Sequence, residues 1–181
     1  MNKGLIASIL VLLLVGCSTP PSLQRSLNIG SAMDDSALEV DILAALIEQD
    51  ERFEASDLRL LAHHGRVLLV GQVPSVSMIQ SANQVIQRQP RVRLLHNQLR
   101  EGPARSTEMI VNDQWISVRV RTQLSLARDI PAQRVIVLTF QGTTYLLGRV
   151  TETQAEQIEQ RTAGVSGVQR VVSMFDFVDS Q

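Results

Sequence analysis

Three histidines, a cluster of carboxylates, one cysteine and one tryptophan are the side chains of this 181-residue chain most able to do chemistry. His63 and His64 are adjacent, so on a strand they point to opposite faces and cannot share one ion. His96 has no partner at ligand spacing, and all three histidines read as turn or strand-end residues. Asp34, Asp35, Glu39 and Asp41 carry enough charge for a cation. Acidic residues at a helix start complement the helix dipole, however, and Ser36 with Glu39 has the spacing of a capping box. The cluster therefore reads as a capped, solvated helix start. The sequence has neither a Gly-rich phosphate loop nor a Gly-x-Ser-x-Gly elbow. It gives no support for an enzyme, a cofactor, a metal site or a small-molecule substrate. Cys17 is the sole cysteine, which excludes an internal disulfide and a catalytic thiol elsewhere. That leaves Trp115, in "NDQWISVRVRTQLSLARDIP", near the start of an expected helix that also carries Arg119, Arg121 and Arg128.

The start of the chain bears on what that indole does. "MNKGLIASILVLLLVGC" has one cation, Lys3, then a run from Leu5 to Val15 that is apolar except for Ser8. The run is shorter than the ~20 residues a helix needs to cross a bilayer. It lacks a polar face and ends in a Pro- and Ser-rich stretch, so residues 1–16 are expected to be a secretory signal and not a core helix. Leu14-Val15-Gly16-Cys17 resembles the lipobox of bacterial lipoproteins. The resemblance implies that the Cys17 thiol carries diacylglycerol, that the signal is cut before it, and that the new amino terminus is acylated. Ser18 follows the cysteine where an aspartate would imply retention, so the same resemblance implies an outer-membrane anchor facing the periplasm.

Seventeen basic residues less Lys3 leave sixteen in the mature chain, all arginine, against eighteen acidic ones. With no basic stripe to neutralise phosphates, the composition argues against nucleic acid as a partner. Few aromatics mean aliphatic cores. Residues 17–33 contain two prolines and no sustained period and are expected to be a lipidated tether. Beyond them the chain repeats itself. "DSALEVDILAAL" (from Asp35) aligns with "DQWISVRVRTQL" (from Asp113), "GRVLLVGQV" with "GTTYLLGRV", and "VRLLHNQL" with "VQRVVSMF". Two copies, at 34–101 and 112–181 with a linker at 102–111, are a duplicated small domain and too few for a solenoid.

Each copy reads helix, strand, strand, helix, strand, an α+β fold with two helices on a three-stranded mixed sheet. The β-rich runs "LRLLAHHGRVLLVGQV" and "RVIVLTFQGTTYLLGRV" fold back at His64-Gly65 and Gln141-Gly142, where glycine suits a turn with positive φ. Gly71 and Gly148 inside the second strands predict a bulge or a close backbone approach. The second helices are expected at about Ser75–Gln87 and Thr153–Ala163. Gly71-Gln72-Val73, Gly148-Arg149-Val150 and "GVSGVQRVVSMFDF" are similar to the corresponding segments of the BON domain, and the resemblance spans both copies. A lipobox followed by two BON domains resembles a class of outer-membrane lipoproteins. That resemblance implies binding to anionic phospholipid and a part in keeping the envelope intact.

At 100° per residue, Ile116, Val120, Leu124 and Ala127 form one arc, which must face its own sheet. Trp115, Val118, Thr122 and Leu126 form a second, edged by Arg119, with Arg121 and Arg128 farther round. Copy one likewise has Leu38, Ile42 and Ala45 on one arc and Val40, Leu43 and Ile47 on another. Packing between the domains would bury either second arc, and it is the expected role of the acid-flanked arc of copy one. On residues alone the copy-two arc fits that packing or a membrane interface, where Trp sits at headgroup level. With the resemblance it is read as the phospholipid-binding surface. A tethered adaptor that recognises an outer-membrane assembly machine or an envelope protease is the alternative.

Overall fold

The computed structural model describes residues 23–179, with side chains from Ala32 onward. The expected signal 1–16, Cys17 and the first part of the expected tether lie outside the described residues. Helix α1 spans Leu23–Gln49, strand β1 Asp57–His63, β2 Arg66–Val73, helix α2 Val76–Gln87 and strand β3 Leu94–Glu101. The same order returns as α3 Thr107–Ser125, β4 Val135–Phe140, β5 Thr143–Val150, α4 Glu152–Ala163 and β6 Arg170–Phe177. In each sheet the first strand runs antiparallel to the second and the third runs parallel to it. This is the α+β architecture read from the sequence.

The repeat is carried by matching turns and caps. His64-Gly65 and Gln141-Gly142 are two-residue hairpin loops with φ positive at both positions, the backbone that matches the twist of flanking strands. Ser75 and Thr151 precede α2 and α4, and Thr151 forms a full capping box with Gln154. Gly71 and Gly148 do not make bulges: the β1–β2 register runs through Gly71, and Gly148 pairs with Val135 at the end of the β4–β5 ladder while the β5–β6 register runs through it. They permit close approach instead: a Cβ there would lie 2.4 Å from the Asp57 carbonyl oxygen and 2.3 Å from that of Arg134.

Each domain has its own aliphatic core. Leu38, Ile42 and Leu46 of α1 pack with Val67, Leu69 and Ile86, and Ile116, Val120 and Leu124 of α3 pack with Leu146, Val150 and Ile158. A third cluster lies between the sheets, where Leu68 and Val70 of domain one meet Phe140, Tyr145, Leu147 and Met174 of domain two. Strand alternation explains it. One face of each sheet takes the helices, and the other is also apolar, so the two sheets cover each other. Arg66 on β2 reaches across to Asp176 on β6, Nε to Oδ1 at 2.6 Å.

Four expectations change. Interdomain packing does not use the second arc of α1, since Val40 is 66% and Ile47 38% exposed; the sheets supply that contact. The stretch expected as a tether is helical from Leu23, so Asp34, Asp35 and Ser36 lie inside α1 and cap nothing. Asp35 and Glu39 serve the hairpin instead, accepting from the backbone N–H of His64 and of Ala62 respectively. The linker 102–111 overlaps α3, which begins at Thr107 behind the cap Ser106. His63 and His64 are not on opposite faces: His64 lies in the turn, with ring centroids 4.5 Å apart edge to face.

Candidate functional site: the outward face of α3

Helix α3 is fixed by the side opposite its exposed stripe. Asp113, buried in the first half of the helix, accepts from the turn N–H groups of Gln141 (2.8 Å) and Gly142 (3.0 Å). One turn on, Ser117 Oγ accepts from Thr139 N at 2.9 Å. Asp113 is the counterpart of Asp35 and Ser117 that of Glu39, so both copies hold their helix to the hairpin through the same two positions. Satisfying these edge donors with side chains spares a buried backbone group its desolvation cost.

Arg105 completes the anchoring. Its side chain is only 2% exposed, and it donates to Asp57 of β1 (Nε–Oδ2, 2.6 Å) and to Asp113 (Nη1–Oδ2, 2.7 Å). The guanidinium carbon stands 3.7 Å from the centroid of the Phe140 ring, a cation–π contact. The hydrogen bonds from Arg105 hold the Asp57 carboxyl below its usual range against the opposing effect of burial. Burial alone would pull the Arg105 pKa down, yet its two carboxylates raise it. One arginine thus joins domain one, the connection and α3, and nothing in the sequence around Gly102-Pro103-Ala104 announces it.

Among the described residues no element covers the other side of α3. Trp115 is 60% exposed, Val118 45% and Leu126 74%. Thr122 lies among them with its hydroxyl turned back to the Val118 carbonyl at 3.0 Å. Val111, one turn before Trp115, extends the stripe and is exposed as well. The expected helix starts only after Val111, whereas α3 begins at Thr107; the four-residue step from Val111 to Trp115 is the sequence signal for the longer helix. Arg119 is exposed at the edge of the stripe. Arg121 is not part of it: Nη2 donates to the Val137 carbonyl on edge strand β4 at 2.8 Å. Arg128 is exposed beyond the helix end. The structure brings together Trp115, Val118, Arg119, Thr122 and Leu126, with Arg121 and Arg128 off the stripe.

The histidines belong to another surface. His63 and His96 sit on strands β1 and β3, and each has a buried Nε2 without a hydrogen-bond partner. Burial lowers both imidazole pKa values. Among the described residues no group of three or more His, Cys, Asp or Glu is arranged to hold a metal, and no helix is long and apolar enough to cross a membrane.

A model of the BON domain matches residues 34–103 and again 112–179. The chain is 30% identical to the outer membrane lipoprotein DolP of Haemophilus influenzae, over 83% of this chain and 78% of that one. It is 28% identical to the 21 kDa hemolysin of Actinobacillus pleuropneumoniae, over 82% of this chain and 77% of that one. Among solved structures, the type III secretion protein CdsD of Chlamydia trachomatis aligns at 13% identity with a TM-score of 0.33. That alignment covers 81% of this chain and 64% of the other. With both copies matched from α1 to β6, this chain belongs to the BON-domain family, as a two-domain protein of the DolP type.

Proposed function

We propose that this is a non-enzymatic envelope protein, anchored through Cys17 in the outer membrane and facing the periplasm, whose α3 stripe rests on anionic phospholipid and so supports envelope integrity. The observation that carries the reading is the exposure of Trp115 beside Val118 and Leu126 on a helix whose opposite side buries Ile116, Val120 and Leu124. A helix that already has its core contact needs no second apolar stripe for folding. An indole with aliphatic neighbours and arginine suits the headgroup boundary. Arg119 stands where it can reach phosphate from that position; Arg121 and Arg128, off the stripe, add to the local field. Each arginine near an anionic surface contributes ~1 kcal/mol. The names of two relatives, an outer membrane lipoprotein and a hemolysin, agree with a membrane setting.

The test is co-sedimentation of the unacylated mature chain with vesicles. Binding to anionic but not to zwitterionic vesicles is expected. Trp115→Ala or Arg119→Glu is expected to abolish it with the fold intact, because neither side chain enters the core. Equal binding by the variants removes the proposed site.

A further inference from the structure

Helix α1 carries an outward stripe of its own. Met33, Ala37, Val40, Ala44 and Ile47 recur at alternating steps of four and three residues, and all five are exposed. That is the repeat by which one helix seats against another, with the alanines letting a partner backbone come close. A cleft beside it, lined by Leu43, Ile47, Phe53 and Leu58, widens the apolar surface toward β1.

The repeat within the chain gives this stripe its meaning. Position by position it corresponds to Val111, Trp115, Val118, Thr122 and Ser125 of α3, so both domains present the same outward seam. The flanks differ. Along one edge of α1, at heptad spacing, stand Asp34, Asp41 and Glu48; their counterparts on α3 are Asn112, Arg119 and Leu126. An acidic edge disfavours an anionic bilayer. It also disfavours a second copy of this chain. In antiparallel pairing the acidic edge would meet itself, and in parallel pairing it would meet Ser36, Leu43 and Asp50.

One cation already shows how the edge is used. Arg91, from the connection after α2, pairs with Asp41 and lies along the Asp34 carbonyl, while both partners remain largely exposed. Such an exposed pair is easily exchanged for another. Among the described residues Asp34 and Glu48 have no ion-pair partner. We infer that the outward face of α1 is a docking surface for an amphipathic protein helix whose apolar seam is flanked by Lys or Arg. The two domains would then present one seam to two partners, lipid through α3 and protein through α1, selected by the charge at the edge.

The experiment uses the unacylated mature chain and two synthetic amphipathic peptides with the same apolar seam, one flanked by Lys and Arg, the other by Glu. Amide NMR shifts locate binding. The basic peptide is expected to perturb residues 33–48, and the acidic one to bind at least about tenfold more weakly. Val40→Asp should abolish binding; Asp41→Arg with Glu48→Arg should transfer the preference to the acidic peptide; Trp115→Ala should change neither. Equal affinity for both peptides, or shifts confined to α3, would overturn the inference. So would self-association lost in Val40→Asp, or protection of α1 by anionic vesicles. Failure here leaves the α3 reading standing, because that is read by the vesicle assay.

Discussion

Arg105 Nη1 lies 2.7 Å from Asp113 Oδ2, and that carboxylate oxygen also accepts the N–H of Gln141 at 2.8 Å. The arginine that binds domain one to the connection therefore also sets the helix bearing Trp115 against its own hairpin.

Arg105→Ala leaves Asp113 buried without an ion-pair partner and leaves Asp57 only the longer contact to Arg59, at 3.9 Å. Removing one partner of a buried ion pair costs ~3–5 kcal/mol, and urea unfolding of the mature chain should show a loss of that size. Arg105→Lys should recover only part of it, since an ammonium cannot make the two-sided contact. A loss below ~1 kcal/mol, the value of a surface pair, would contradict the role given to this residue.

Much of this was legible beforehand, and the reason is periodicity. Leu38, Ile42 and Leu46, like Ile116, Val120 and Leu124, mark the buried arc of a helix, and His64-Gly65 and Gln141-Gly142 mark hairpin turns. The exposed Trp115 arc was also readable as a second stripe. The contact between domains was harder. Its sign was the run Val67-Leu68-Leu69-Val70, apolar at every position and wholly buried, which implies a sheet covered on both faces. Arg105 was hidden because a buried arginine in a Pro- and Gly-containing connection has no local pattern. The roles of Asp35 and Glu39 were not legible because Ser36 and Glu39 have capping-box spacing where the apolar repeat begins, yet the helix extends back to Leu23 and leaves both carboxylates to the hairpin.

The fold should weaken in acid. Burial lowers the pKa of His63 and His96 from 6.5; the charges of His64 and Arg149 add to this at His63 and that of Arg66 at His96, while Asp35 and Asp176 oppose it at His63. A depressed histidine is neutral in the fold, so the unfolded chain takes up the proton first. The stability is complete above about pH 6.5 and falls as pH drops through that value toward the folded pKa. The melting temperature should decline from pH 7.5 to 5, and His63→Asn with His96→Gln should flatten the decline. An unchanged slope in the double variant would show that other groups carry it.

Gly148→Ala puts a methyl carbon 2.3 Å from the Arg134 carbonyl oxygen. Strand β4 would have to move, at a cost near the upper end of the ~1–3 kcal/mol of overpacking. Chemical denaturation should show it. A neutral result would mean that the close approach of β4 and β5 carries no constraint.

If Cys17 is the acylated residue, Cys17→Ala should leave an uncleaved or soluble product. Two or three acyl chains at ~0.8 kcal/mol per buried CH₂ make release from the bilayer negligible, so loss of the anchor should be plain in fractionation. A variant that still sediments with the outer membrane would remove the lipoprotein reading.

The most direct measurement of the central claim is the emission of Trp115, the sole tryptophan, in the unacylated mature chain. Without lipid the exposed indole should emit to the red and be open to an aqueous quencher. Anionic vesicles should shift it to the blue and shield it, and the shift should fade with salt as the Debye length shortens from about 10 Å at 0.1 M to about 3 Å at 1 M. An indole already blue-shifted and shielded before lipid is added, or one that anionic vesicles leave unchanged, would contradict the assignment of α3 as the membrane-facing surface.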